Sequence, residues 1–236
     1  MTDQRGPVER PRTADNGRRG ASPWRRRGVP VFGSGDPPVY GTLRLVCALF
    51  IAPLYRYCAR GDHHVPATGG AILAVSHKSW WDPIFTGMAL RRPMRIMAKE
   101  ELFRAWWSRW VVVALGAYPI KRGQSDVEAL HASLDMLAHG DLLLMFPEGH
   151  RYHDDAIHPF HPGISLLAAR SGCPVVPVAI RGTKQMAVDG RPRFPRVRVA
   201  VGPTVDLSGL QGSLKERHEA AAERTRAAVE QLYESL

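Results

Sequence analysis

In the stretch SHKSWWDPIF, residues 76–85, His77 and Asp82 stand five positions apart with two tryptophans between them. An imidazole takes a proton from an alcohol near neutral pH, and a carboxylate on its other ring nitrogen fixes the tautomer and stabilises the imidazolium. The two are the base and the orienting group of a catalytic triad that lacks its serine, so the nucleophile would come from a substrate. The same spacing also suits a plainer arrangement, Asp82 as a helix cap and His77 as a loop histidine, and the pair alone does not choose between them.

The elements that must position the pair are legible around it. AILAV runs as a strand into Ser76 and His77, and Pro83 suits the first turn of a helix, which puts Asp82 at or near the N-cap. In open α/β sheets, ligands collect at the carboxyl ends of strands, where such a turn would place His77. Further short apolar or alternating segments read as strands at 71–76, 94–99, 142–147, 174–180 and 196–202. Helical spacing of Val127, Leu130, Leu134 and Leu137 predicts a helix over 125–138 with Gly140 as its stop. Residues 163–172 and a charged, Ala-rich stretch from about Leu214 read as two more helices. Strands alternating with helices predict an α/β fold, a largely parallel sheet flanked by helices.

A chain of 236 residues forms one domain of ordinary size. Residues 1–37, rich in Arg, Pro, Gly and Ser, read as a disordered arm, which leaves 38–236 as the folded domain. The formal net charge is +10, and because the arm carries eight arginines against four acidic residues, the body retains +6. A basic body points to an anionic partner. Cys47, Cys58 and Cys173 show neither disulfide nor metal spacing, and no secretory signal is visible, so a reducing cytosolic setting is expected. The longest apolar run, Leu45 to Tyr55 between Arg44 and Arg56, is about half of the ~20 residues a spanning helix needs. It suits an interfacial segment or a core helix interrupted at Pro53.

Other chemistries fit less well. His150, His153, His158 and His161 lie near Asp154 and Asp155, but their spacing is not a tight ligand pattern and no cysteine assists, so no metal is expected. A serine hydrolase would need a nucleophile elbow, and the chain offers only GSG inside the arm. Nucleic acid is not expected as a partner, because the aromatics gather beside the dyad and an apolar run instead of interleaving with basic strand residues.

Five blocks in order, SHKSWWD, AKEELF (98–103), LGAYPIKRG (115–123), FPEGHR (146–151) and PVVPVAI (174–180), resemble the glycerolipid acyltransferases related to 1-acylglycerol-3-phosphate acyltransferase. The resemblance covers roughly residues 55–205. It implies a glycerol-3-phosphate acyltransferase-like α/β domain with His77 and Asp82 as the catalytic dyad. It implies that Arg122, with Lys121 beside it, holds the acceptor's phosphate, to which a forked guanidinium is suited. It further implies an acceptor site containing Glu148 on a glycerol hydroxyl, Gly149 for close backbone approach, and Arg151 as a second phosphate ligand. Pro177 would shape an acyl-donor or structural turn.

Two departures from the family pattern stand out: Ser76 where asparagine is frequent, and His150 where threonine or serine usually follows the glycine. The second bears on which acceptor is used. The implied activity is transfer of a fatty acyl chain from acyl-CoA or an acyl carrier protein, as co-substrate and without a cofactor, to the free hydroxyl of 1-acylglycerol-3-phosphate. Another lyso-lipid acceptor, or a catalytically idle lipid-binding protein, is the alternative. Five of the six tryptophans, Trp80, Trp81, Trp106, Trp107 and Trp110, cluster in and after the first two blocks. They favour a membrane surface as partner, and with it a peripheral position on the cytoplasmic face of the cell membrane.

Overall fold

The computed structural model describes residues 40, 42, 45–99, 103, 116–120, 126–188 and 191–236. The expected arm and Trp106, Trp107 and Trp110 lie outside the described residues.

Seven strands form the main sheet: β1 (Cys58–Arg60), β2 (Ala71–Val75), β3 (Met94–Lys99), β4 (Ala117–Ile120), β5 (Leu142–Met145), β6 (Val175–Arg181) and β9 (Arg198–Val201). Between the last two, β7 (Ala187–Val188) and β8 (Arg191–Pro192) pair as a small antiparallel ribbon. The order in the main sheet is β1-β9-β6-β2-β5-β3-β4. Every neighbouring pair is parallel except β6 with β9.

β2 lies at the centre, and all five of its residues are buried. Strand geometry sends alternate side chains to opposite faces. Leu73 and Val75 therefore join Leu144 and Val178 on one face, while Ile72 and Ala74 join Leu143 and Ala179 on the other. Helix α1 (Asp82–Ala89) covers the first face through Phe85 and Ala89. Helices α2 (Asp126–Ala138), α3 (Gly163–Ser171) and α4 (Leu214–Glu234) cover the second, through Met136 and Leu137, Ile164 and Leu167, and Val229 and Tyr233. Gly140, at φ 86°, ends the turn after α2, a left-handed conformation that glycine adopts without steric cost. Ser213 starts α4 with a capping box: Glu216 N–H donates to its hydroxyl, and the Glu216 carboxylate accepts from Ser213 N–H at 2.7 Å.

The connections place the site. β2 leads through α1 to β3 on one side of β5, whereas β5 leads through α3 to β6 on the far side of β2. Neighbouring strands whose connections depart in opposite directions leave a crevice at their carboxyl ends. Pro177, expected to shape a turn, lies inside β6 opposite Ala74. Its carbonyl accepts from Gly202 N–H at 2.9 Å on the side where the ladder to β9 has ended. The proline has no N–H to return that bond, so it sits where the pairing with β9 stops.

Candidate active site

β2 and β5 run in parallel, with Ala74 beside Met145. The loops that leave their ends carry His77 and Glu148 together: the His77 N–H donates to Glu148 Oε1 at 2.9 Å across 71 residues of sequence. Ser76, buried beneath, accepts from Ile180 N–H through its hydroxyl at 3.2 Å and ties the same turn to β6.

The side chain of His77 is 16% exposed, and its ring stacks on Phe146 with centroids 3.7 Å apart and planes inclined by 16°. Its Nδ1 lies 3.0 Å from Asp82 Oδ2. That oxygen also accepts the backbone N–H groups of Lys78 and Ser79, each at 2.7 Å. Asp82 is fully buried, and its other oxygen has no hydrogen-bond partner among the described residues. A carboxylate already holding two amide donors accepts a third bond from a protonated Nδ1, which fixes the tautomer and leaves Nε2 as the basic nitrogen. Asp82 is the first residue of α1, one past Trp81 at the N-cap. Its carboxylate turns back to the loop that holds His77 and does not cap the helix.

Glu148 is held from inside the protein. Its side chain is completely buried, and besides His77 N–H it accepts His158 N–H at 3.2 Å and faces Lys78 Nζ at 3.4 Å through Oε2. Both oxygens are engaged inside the protein, where they fix the His77 main chain. Gly149 is likewise structural: it sits at φ 73°, and a Cβ there would stand 2.7 Å from His161 Nε2. Arg151 lies with its guanidinium 3.9 Å above the Trp80 ring, so a contact links the His77 loop to the loop after β5. Lys121 and Arg122, which follow β4, lie outside the described residues.

Lys78 is the residue that sequence reasoning passed over. Its side chain is 1% exposed, and its Nζ donates to the Ala156 carbonyl and lies 3.7 Å from Asp154 Oδ1 as well as facing Glu148. A lysine one position after a loop histidine gives no signal of burial, because its partners are some 70 residues away. Around it the 152–158 loop closes on the turn. Tyr152 N–H donates to the His77 carbonyl at 3.3 Å, and the Tyr152 ring stacks on His158 at 3.6 Å. His158 Nε2 lies 2.8 Å from Asp154, and this bond chiefly holds the Asp154 carboxyl below its usual range. Asp155 is lowered first by its bond from Lys184 and then by that from Tyr233. Of the four histidines near this loop His158 is engaged in the bracing, and among the described residues no group of three or more His, Cys, Asp or Glu side chains is arranged to hold a metal ion.

The chain resembles known proteins along this same stretch. It is 29% identical over 150 residues to the chloroplastic 1-acyl-sn-glycerol-3-phosphate acyltransferase of Brassica napus, covering 62% of this chain and 43% of that protein. It is 30% identical over 165 residues to the 1-acyl-sn-glycerol-3-phosphate acyltransferase of Streptococcus pneumoniae, covering 69% of this chain and 60% of that one. The chain thus spans about half the length of these relatives. The crystal structure of the 1-acyl-sn-glycerophosphate acyltransferase of Thermotoga maritima shares the fold, with a TM-score of 0.59 at 22% identity over 82% of this chain and 89% of that one. Residues 56–181, more than half of the chain, match the Acyltransferase family. That match runs from the threshold of β1 to the end of β6 and takes in the whole of the His77–Asp82 turn, so the chain belongs to the Acyltransferase family.

Proposed function

We propose that the chain transfers an acyl group from a thioester donor to the free hydroxyl of a lysophosphatidic-acid-like acceptor, giving phosphatidic acid. The observation that carries the proposal is the 3.0 Å contact between His77 Nδ1 and the buried Asp82 carboxylate. It prepares Nε2 to take the acceptor's proton as its oxygen attacks the thioester carbonyl. Collapse of the tetrahedral adduct breaks the carbon–sulfur bond, and the leaving thiolate recovers the proton from the imidazolium. Asp82 stabilises that cation between the two steps. The names of the relatives support the acceptor class, and the guanidinium of Arg151 beside the turn suits its phosphate. Acyl-CoA or an acyl carrier protein would serve as donor.

Peripheral contact with the cytoplasmic face of the membrane belongs to the same proposal. No helix among the described residues is long and apolar enough to cross a membrane, while Leu49, Phe50, Leu54 and Trp80 are exposed.

Release of free thiol from acyl-CoA by purified protein, with lysophosphatidic acid in mixed micelles, tests the reaction. Acceptor-dependent release that disappears in His77→Ala is the expected result. Folded wild-type protein that releases no thiol from acyl-CoA, transfers nothing from acyl carrier protein and ignores other lyso-lipids would leave a lipid-binding protein in place of an enzyme.

A further inference from the structure

Helix α1 holds a pair of buried polar atoms that the contacts of the dyad leave unmet. Asp82 Oδ1 and Thr86 Oγ1 belong to fully buried side chains, and neither has a hydrogen-bond partner among the described residues; Thr183 Oγ1 is the third such atom. Two of the three therefore stand four residues apart on one helix, the spacing that makes side chains neighbours on one face. Buried polar groups in folded proteins are almost always bonded, so two unmet oxygens side by side, one of them on the carboxylate that faces His77, point to a shared partner.

The backbone does not supply it. Oδ2 of Asp82 takes the N–H groups of Lys78 and Ser79 and faces His77 Nδ1. The Asp82 N–H is spent on the Ser79 carbonyl, those of Ile84 and Phe85 on the Trp81 carbonyl, and Pro83 has none. Along this turn of the chain, the donor left to Oδ1 is the Thr86 hydroxyl.

That hydroxyl forgoes the bond that buried helical hydroxyls make elsewhere in this protein. Thr225 Oγ1 donates to the Ala221 carbonyl and Ser133 Oγ to the Ala129 carbonyl, each four residues back and each at 2.8 Å. The equivalent acceptor for Thr86 is the Asp82 carbonyl, and no such bond forms. The Thr86 proton is thus free for the Asp82 side chain one turn away. A valine would fill the same space with no hydroxyl to desolvate, so packing alone does not call for threonine here. No direct bond joins the two side chains, whereas one water that donates to Oδ1 and accepts from the hydroxyl meets the needs of both.

We propose that Thr86 is a positioning residue for the dyad, its hydroxyl holding the second oxygen of Asp82 through one buried water. The bonds at Oδ2 all meet at a single atom, about which the carboxylate plane can still turn. A bond at Oδ1 removes that freedom and fixes the direction in which Oδ2 presents itself to the His77 ring. The proposal rests on the acyl-transfer reading for the consequence in turnover, but not for the hold on Asp82.

The test compares Thr86→Val, which keeps the shape and removes the hydroxyl, with Thr86→Ser, which keeps the hydroxyl, and with Thr225→Val, which removes a hydroxyl on α4 that is bonded to its own helix. Thiol release from acyl-CoA with lysophosphatidic acid gives kcat and KM. Proton NMR of the His77 Nδ1–H, assigned by its loss in His77→Ala, reads the dyad without turnover. Thr86→Val should lower kcat about tenfold, the lower end of what a bond to a charged group is worth, leave acceptor KM unchanged and shift the resonance. Thr86→Ser should restore both, and Thr225→Val should lower the melting temperature alone. Wild-type kcat and an unmoved resonance in Thr86→Val would overturn the proposal. So would an equal fall of kcat in Thr86→Ser, which would assign the effect to packing of the methyl group. A resonance that moves in Thr86→Val and returns in Thr86→Ser, in a protein that transfers no acyl group to any acceptor, would uphold the hold on Asp82 and sink the acyl-transfer reading.

Discussion

Replacing Lys78 with methionine should destabilise the protein by about 3–5 kcal/mol, because it strands a buried carboxylate. Lys78 Nζ and Glu148 Oε2 stand 3.4 Å apart, with side chains 1% and 0% exposed. Two unit charges at that separation attract by about 5 kcal/mol at an effective dielectric of ~20. Without the ammonium, Glu148 keeps only the N–H groups of His77 and His158. For a chain of 236 residues, each kcal/mol is worth roughly 2–4 °C, so the melting temperature should fall by roughly 6–20 °C. Glu148→Gln should also destabilise, since the two backbone donors reach different oxygens and an amide would set its NH2 against one of them. The lysine it leaves still has the Ala156 carbonyl, and Asp154 at 3.7 Å on a side chain that is 53% exposed.

The double variant separates the charge pair from these losses. Thermal and urea unfolding of Lys78→Met, Glu148→Gln and both together form a cycle in which the broken backbone bonds are common to two arms. A coupling of about 2 kcal/mol or more, with the double variant more stable than the sum of the singles, is the expected result. Additive losses, or a Lys78→Met protein within about 1 kcal/mol of wild type, would show that the buried ammonium does not hold the two loops together.

Asp82→Asn should preserve the fold, its amide oxygen keeping the Lys78 and Ser79 N–H groups, but lower kcat by about 10²–10⁴-fold, because a neutral amide no longer stabilises the imidazolium; activity within tenfold of wild type would refute that role. Trp80→Ala removes the ring 3.9 Å beneath the Arg151 guanidinium. It should raise KM for a phosphate-bearing acceptor a few-fold, the ~0.5–1 kcal/mol of an exposed cation–π contact, with kcat little changed. Stability should also fall at high pH. Burial foremost, then the bond to Asp155, pushes the Tyr233 phenol up, and burial pushes up Tyr118. Their contribution is complete below about pH 10, where unfolded tyrosine ionises, and is lost as pH rises toward the folded values. Asp155, lowered chiefly by Lys184, has the opposite sign: its contribution is complete above about pH 4 and is lost as pH falls through the folded value. Urea midpoints across the alkaline range should drop less steeply in Tyr233→Phe than in wild type; equal slopes would remove Tyr233 from the explanation.

The strands that sequence reasoning finds are the ones with apolar runs, because a strand buried on both faces is apolar at every position. β2 and β6 are of this kind, and both were legible. β1 is three residues long and exposed throughout, and β4 contains Pro119 at the edge of the sheet, so neither carries a hydrophobic signature. They exist because a neighbouring strand offers them hydrogen bonds, which is a property of β9 and β3 more than of their own residues. The order of the strands was equally hidden. Nothing local in AILAV says that it will lie between residues 142–145 and 175–181.

The site divides along the same line. His77 and Asp82 are five residues apart on one turn, so their meeting is a matter of local geometry and could be read from the chain. Glu148 was found for its motif, but its bond to the His77 main chain comes from its position in the loop after the adjacent strand and was not legible. Lys78 and Arg151 take their roles from partners across the same pair of strands. The proposed catalytic pair is thus set by one loop and held by the next. A variant of the second loop that never touches substrate should therefore act through His77. If Tyr152→Ala, which removes the ring stacked on His158 but keeps the backbone bond to the His77 carbonyl, lowers kcat without raising acceptor KM, that bracing is part of catalysis. If only stability changes, the dyad needs nothing from the second loop beyond Glu148 and Lys78.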